Sequence, residues 1–146
     1  MKRWLSLLPI AAMFLAASSF ADSYQLIANA KVPADSVERR FVMDTFFKKV
    51  THWPEDGIIQ PVDQRPDSLV RRKFSEDVLG RSVMGVKSYW QQLIFSGADV
   101  PPPELGNDEE VIRYVSKTPG AVGYVSSSSI STSSLPTGIK TVSIIR

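Results

Sequence analysis

Hydrophobic residues recur along the chain in two spacings, which together predict the order of secondary structure. Apolar runs bounded by turn residues predict buried strands over 24–32, 58–62, 121–125 and 139–145. Apolar positions three and four residues apart predict helices between these strands, and one helix carries Val70, Phe74 and Val78 on a single face. The resulting order, β-α-β-α-α-α-β-β, predicts an α/β domain with helices packed against a small sheet.

Capping residues and helix breakers predict where the helices begin and end. Asp35 or Ser36, with Glu38 three or two residues later, predicts the start of the first helix, and Gly80 predicts the end of the second. A third helix is predicted over 82–95, with five residues facing inward: Val83, Val86, Trp90, Leu93 and Ile94. Asn107 and Glu110 predict the start of a helix over 107–118, and the serine-rich tract 126–134 predicts a flexible loop.

The first 21 residues have the pattern of a secretory signal. Lys2 and Arg3 precede an apolar run over 4–17, and 18-SSFA-21 ends in small residues suited to a signal peptidase. We therefore expect cleavage after Ala21, a periplasmic location, and a single domain over 22–146. No later segment approaches the roughly 20 apolar residues of a membrane span.

Charge and cysteine content narrow the possible functions. The chain has 17 basic and 15 acidic residues, and without Lys2 and Arg3 the two counts become equal. This balance gives no support to a nucleic-acid partner. The absence of cysteine excludes a disulfide scaffold, a thiol nucleophile and a lipoprotein anchor.

The residues usual in catalysis are scarce. His52 is the only histidine and adjoins Trp53-Pro54 in a predicted turn, so a structural role is favoured over acid–base chemistry. The chain has no second histidine and no cysteine with which to form a metal cluster. It also has no nucleophile-elbow or phosphate-loop motif. We expect a protein that is not an enzyme and that has no metal and no cofactor.

The stretch 61-PVDQRPDSLVRRKF-74 is the strongest candidate for a binding site. It leads from a strand through a turn to a helix capped by Ser68, an arrangement that offers the Ser68 hydroxyl and free amides such as that of Leu69 to an anion. Arg71 and Arg72 follow three and four residues later, which predicts that both stand on the same side of the helix. The alternative is a plain capped helix with solvated basic residues.

Several motifs of the chain resemble, in the same order, those of periplasmic phosphate-binding proteins of ABC transporters. They include 45-TFFKKVTHWPEDGIIQPVDQ-64, 68-SLVRRKF-74 and 118-TPGAVGYV-125. The resemblance covers nearly all of residues 24–125 and is closer still to small single-lobe members of that superfamily. It implies a single lobe of the type II periplasmic-binding-protein fold, with a small mixed sheet flanked by helices.

The resemblance also implies a function and a site. In the family, a serine in the strand-to-helix turn binds phosphate together with the Gly and Thr that follow it. Ser68 matches that serine, whereas Leu69 and Val70 stand in place of Gly and Thr, and Gln64 and Pro66 in place of the turn's Arg and Asp.

We therefore expect an exported protein that binds inorganic phosphate or a similar oxyanion through Ser68, Leu69, Arg71 and Arg72. Its expected partners are a membrane permease or an envelope protein, with a homodimer as a further possibility. The alternative is a non-enzymatic envelope interaction module that binds no solute.

Overall fold

The computed structural model describes residues 23–55, 57–131 and 133–146, so the predicted signal peptide lies outside the described residues. Over these ranges the chain forms strands β1 (Tyr24–Asn29), β2 (Ser36–Glu38), β3 (Gln60–Pro61), β4 (Asp63–Gln64), β5 (Glu104–Leu105), β6 (Ala121–Ser126) and β7 (Ile139–Ile145). The α-helices are α1 (Arg39–Phe46), α2 (Leu69–Phe74), α3 (Val83–Ser96) and α4 (Asp108–Lys117). A π-helical turn over Ser75–Leu79 continues α2, and a 3-10 turn covers Ser127–Ser129.

Five strands form one mixed sheet in the order β2-β7-β1-β6-β3. The central strand, β1, pairs antiparallel with β6 on one side and with β7 on the other. The edge strands β2 and β3 pair parallel with β7 and β6. Strands β4 and β5 form a separate parallel pair. The mixed sheet and its helices confirm the predicted α/β class.

Both faces of the sheet are covered, as the uninterrupted apolar runs predict. Side chains of a strand alternate between faces, so neighbours in sequence enter different cores. Leu26 and Tyr124 belong to the larger core, which contains residues of α1, α2 and α3. Ile27 and Val125 belong to the smaller core, where α4 packs against the sheet. The predicted strands over 121–125 and 139–145 are confirmed within one residue.

Helix α4 approaches the sheet closely because Gly123 has no side chain. A Cβ atom on Gly123 would lie 2.8 Å from Val62 Cγ1 and 2.9 Å from Val111 Cγ1. The predicted cap is present, since the Asn107 side chain accepts a hydrogen bond from the Glu110 amide at 2.9 Å. The glycine therefore fixes the distance between α4 and the sheet.

Helix α2 follows the predicted pattern. Val70, Phe74 and Val78 are all buried, and Ser68 caps the helix as expected. Gly80 ends the helical run in the left-handed conformation, with φ of 66°. The periodicity of this segment predicts its buried face, and Ser68 and Gly80 predict its ends.

The predicted start of the first helix is wrong. Ser36–Glu38 form a strand instead of a capping box, and Val37 pairs with Ile144 of β7. Val37 is buried between exposed Ser36 and Glu38, which is the alternation of a half-buried strand. Pairing with β7 satisfies backbone groups that a cap would otherwise have to satisfy, and the helix begins only at Arg39.

Fewer residues of helix α3 are buried than predicted. Val86 and Trp90 are buried, but Ile94 is 50% exposed, so its predicted inward orientation is wrong. Ile94 borders an open cavity, which leaves part of its side chain uncovered. The serine-rich tract is also more regular than predicted, because its first residue ends β6 and Ser127–Ser129 form a 3-10 turn.

Candidate functional site

Ser68 lies at the start of α2, as predicted, and both hydrogen-bonding roles of its hydroxyl are occupied. Its Oγ accepts from the Arg71 amide at 3.3 Å and donates to Gln64 Oε1 at 3.2 Å. Leu69 and Val70 follow in the first turn, where a helix offers their amides no backbone acceptor. The side chain of Leu69 is 58% exposed. The two amides therefore lack an acceptor within the helix, whereas both roles of the Ser68 hydroxyl are occupied.

Arg71 and Arg72 do not share an environment, so the prediction that they stand on one side is wrong. Arg71 is only 3% exposed, whereas Arg72 is exposed. Successive helical residues are about 100° apart, and that rotation carries Arg71 into the buried face beside Phe74. Arg72 takes part in no ion pair within the described residues and is the freer of the two charges.

The guanidinium of Arg71 is held by strand β4. Its Nη1 donates to the Gln64 carbonyl oxygen and lies 3.1 Å from Asp63 Oδ1. The half-exposed carboxylate of Glu104 is 3.8 Å away. Its Nε is buried without a hydrogen-bond partner. The contacts of the guanidinium with Asp63, Gln64 and Glu104 all come from Nη1. Arg71 is therefore fixed through Nη1, while its Nε lacks an acceptor.

Asp63 and Tyr124 complete a buried cluster around Arg71. The Tyr124 hydroxyl and the Gln64 amide both donate to Asp63 Oδ1, the amide at 2.9 Å. Burial raises the pKa of Asp63, although the Arg71 charge and the Tyr124 hydrogen bond oppose the rise. Burial, reinforced by the charge of Asp63, raises the pKa of Tyr124 well above its ordinary value. Tyr124 is therefore a neutral donor at physiological pH.

Gln64 links this cluster to helix α4. Its Nε2 donates to Asp108 Oδ1 at 2.6 Å and to the Tyr124 carbonyl oxygen at 3.0 Å. Asp108 Oδ2 in turn accepts from the Ser126 amide at 3.1 Å and from the Ser129 hydroxyl. The chain of bonds ties the turn before α2 to the end of β6, so the backbone around Ser68 is firmly positioned.

A cavity of about 470 Å³ adjoins the buried cluster. Arg71, Asp63 and Glu104 lie on its polar side, and Lys87 of α3 also lines it. Its apolar lining includes Trp90, Ile94, Pro101 and Pro102. Its volume is within the range of roughly 300–1,000 Å³ typical of small-molecule sites.

The sequence pattern did not identify Asp63, Gln64 and Tyr124 as members of a site. Asp63 follows an apolar run directly, and Tyr124 lies inside one, so each is a polar group at a position where burial is expected. A buried carboxylate requires a cation, and Arg71 on the apolar face of α2 is the matching residue. Together, these two positions in the sequence predict an ion pair between Asp63 and Arg71.

Two motifs of the resemblance, those over 45–64 and 118–125, contact each other. Trp53 Nε1, in the turn with Pro54, donates to the Gly120 carbonyl oxygen at 3.0 Å. His52 lies at the surface beside them, and its Nδ1 is 2.9 Å from Thr51 Oγ1. The described residues contain no group of three His, Cys, Asp or Glu side chains that could hold a metal ion. None of their helices is long and apolar enough to cross a bilayer.

Several proteins of known structure have a similar fold. An ABC-type phosphate transport receptor from Vibrio cholerae superposes with a TM-score of 0.61 at 18% identity, covering 83% of this chain and 45% of that one. A phosphate ABC transporter substrate-binding protein from Clostridium perfringens, solved with bound phosphate, gives 0.65 at 20% identity, covering 84% and 45%. PstS from Borrelia burgdorferi gives 0.62 at 13% identity, covering 84% and 47%.

The chain has the fold of one lobe of a periplasmic phosphate-binding protein. It spans less than half the length of each of these three proteins, as a single lobe should. The recognition made from the motifs, and the fold it implied, are thus confirmed. The sequence matches no family model, and no curated protein matches it.

Proposed function

We propose that this protein binds an oxyanion, with inorganic phosphate as the first candidate, outside the cytoplasm and without catalysing a reaction. The observation that carries the proposal is the shared fold, since one of the similar structures contains bound phosphate. The three similar structures reported above belong to proteins of phosphate transport.

The proposed site is the start of α2. The amides of Leu69 and Val70 are the free donors, and the positive end of the helix dipole favours a negative charge there. The Ser68 hydroxyl, which donates to Gln64 Oε1, would rotate and donate to the anion instead. Arg72 is exposed and free of ion pairs in the described part of the chain, so it is the more available charge. Arg71 is held by Asp63 and the Gln64 carbonyl, so the proposed phosphate site does not depend on it.

The partner required by this function is a membrane permease. The superposed region makes up less than half of each of the three compared substrate-binding proteins. This lobe therefore corresponds to half of such a binding cleft. A second copy of the chain, or an envelope protein, would supply the other half. A single lobe leaves a ligand open to water on one side, so we expect weaker binding than a closed two-lobe cleft achieves.

Titration calorimetry with phosphate and sulfate tests the proposal. Ser68→Ala and Arg72→Gln should each weaken phosphate binding tenfold to hundredfold, because a hydrogen bond to a charged group contributes about 1.5–3 kcal/mol. Lys73→Gln is the matched charge control, since Lys73 already pairs with Asp77 at 3.4 Å.

Ser82→Ala controls for the loss of a helix cap. Ser82 caps α3 as Ser68 caps α2, accepting a hydrogen bond from the Gly85 amide at 3.0 Å. Both Ser→Ala variants should lose about 1 kcal/mol of stability, but only Ser68→Ala should lose affinity. If wild-type protein binds no oxyanion, or if Ser68→Ala and Ser82→Ala bind phosphate equally well, the proposed site is wrong.

A further inference from the structure

The cavity beside Arg71 contains a charged group whose hydrogen-bonding capacity is half used. Nη1 of Arg71 contacts Asp63 and Gln64, whereas Nε is buried without a partner. Nε and Nη2 lie on the same edge of a guanidinium and form a planar fork of two parallel donors. Buried donors of charged groups are rarely left unpaired in native proteins, so this edge calls for an acceptor.

A carboxylate matches that fork. Its two oxygens accept two parallel N–H bonds from an arginine in one plane, which gives both strength and orientation. Arg71 is also preorganised, because its contacts to Asp63 and the Gln64 carbonyl hold the guanidinium in place. A ligand bound there would pay little side-chain entropy to order it.

The remaining walls of the cavity suit an apolar body attached to the carboxylate. Trp90, Ile94, Pro101 and Pro102 line the space, and its volume of about 470 Å³ exceeds what an inorganic oxyanion fills. Ile94 is half exposed although it is large and apolar, so a ligand would cover surface that the fold leaves open.

Two further charges face the cavity and act in opposite directions. Lys87 is exposed on α3 and adds a positive charge, while Glu104 lies 3.8 Å from Arg71 Nη1 and disfavours an anion. Asp63 has less influence on a ligand, because Arg71 and the Tyr124 hydroxyl already compensate its charge.

We propose that this cavity binds a small organic acid, with its carboxylate on the Nε–Nη2 edge of Arg71 and its apolar body against Trp90 and Ile94. This site is separate from the one proposed for inorganic phosphate, which uses the amides of Leu69 and Val70. Either site can therefore be wrong without the other.

Titration of the purified protein with 4-methylpentanoate tests the inference, with the uncharged 4-methylpentanamide as the matched ligand. We expect saturable binding of the acid at millimolar concentration, no measurable binding of the amide, and no competition from inorganic phosphate. Trp90 lines the cavity, so its fluorescence provides a second readout. Equal binding of acid and amide would show an apolar site without the carboxylate contact and would overturn the proposal.

Paired variants locate the site. Ile94→Ala should weaken binding of the acid about threefold to tenfold, through lost apolar contact. Phe95→Ala should not, because Phe95 is 97% exposed and does not line the cavity. Lys87→Gln should weaken binding about twofold to fivefold, and Glu104→Gln should tighten it by a similar factor.

The variant Arg71→Lys tests whether binding needs the two parallel donors of arginine or only its positive charge. Lysine keeps a cation beside Asp63 but cannot offer two parallel donors, so binding of the acid should be lost while the protein remains folded. If Arg71→Lys does not fold, the Ile94 and Lys87 variants still decide the matter. Absence of binding by wild-type protein, or unchanged binding in Ile94→Ala and Lys87→Gln, would mean that ordered water satisfies the fork and that the proposal is wrong.

Discussion

Replacing Arg71 with methionine should destabilise the fold severely near neutral pH. The substitution keeps most of the volume of the side chain but leaves Asp63, 4% exposed, as a buried charge without its cation. Breaking a buried ion pair by removing one partner costs about 3–5 kcal/mol. Domains of this size have a total stability of about 5–15 kcal/mol, so the loss is a large part of the whole.

The loss should depend on pH in a defined direction. Burial raises the pKa of Asp63 in the folded protein above its ordinary 3.8, so the folded state binds a proton at a pH where the unfolded chain does not. Stability therefore increases as the pH falls through that interval and decreases as the pH rises through it. Without the opposing charge of Arg71 the interval extends to higher pH, and the cost of Arg71→Met should shrink in acid as Asp63 becomes neutral.

Urea unfolding followed by tryptophan fluorescence measures the effect, since Trp53 and Trp90 are both buried. The single variant Arg71→Met should lose about 3–5 kcal/mol at about pH 7 and clearly less at about pH 4.5. Adding Asp63→Asn to it should recover about 1–3 kcal/mol, because the unpaired charge is then gone. A loss below about 1 kcal/mol at neutral pH, or one that is the same at both pH values, would refute the reasoning.

Two further substitutions test the cluster and the turn beside it. Tyr124→Phe should keep the stacking on Phe74, whose ring centroid is 3.9 Å away, but should cost about 1–3 kcal/mol in urea unfolding because Asp63 loses a donor; an unchanged midpoint would contradict this. Gly120→Ala should be more destabilising than Gly97→Ala in thermal unfolding. Both glycines have positive φ, which costs another residue about 1–2 kcal/mol, but only at Gly120 would Cβ meet a backbone oxygen, that of Ile58, at 2.1 Å. Equal losses would mean that the turn relaxes around the methyl group.

The sequence predicted those parts of the fold that depend on local pattern. Val70, Phe74 and Val78 identified α2 because a helix repeats on its own residues, and Ser68 and Asn107 identified caps because a cap acts within one turn. The strand at Val37 was not predicted, because its partner, Ile144, is more than a hundred residues away. Strand pairing at that distance leaves no local signal, and 36-SVE-38 satisfies a capping pattern equally well.

The candidate site was predicted less completely than the fold. Ser68 was placed correctly because its turn is local, but the environment of Arg71 depends on Asp63, Glu104 and Tyr124, which three different strands supply. Their spacing from Ser68 in the sequence does not distinguish the environment of Arg71 from that of Arg72. Only the packed structure shows that one is the counterion of a buried carboxylate and the other a solvated charge.

The lengths of the strands determine how this lobe can meet another protein. The long strands β1, β6 and β7 occupy the middle of the sheet, while the edges are formed by the three residues of β2 and the two of β3, one of which is proline. An extended peptide would find only two or three residues to pair with on either edge strand, so addition of a strand to β2 or β3 is disfavoured as a route to self-association or fibril growth. A partner of this lobe would therefore depend more on contacts with side chains than on pairing with β2 or β3.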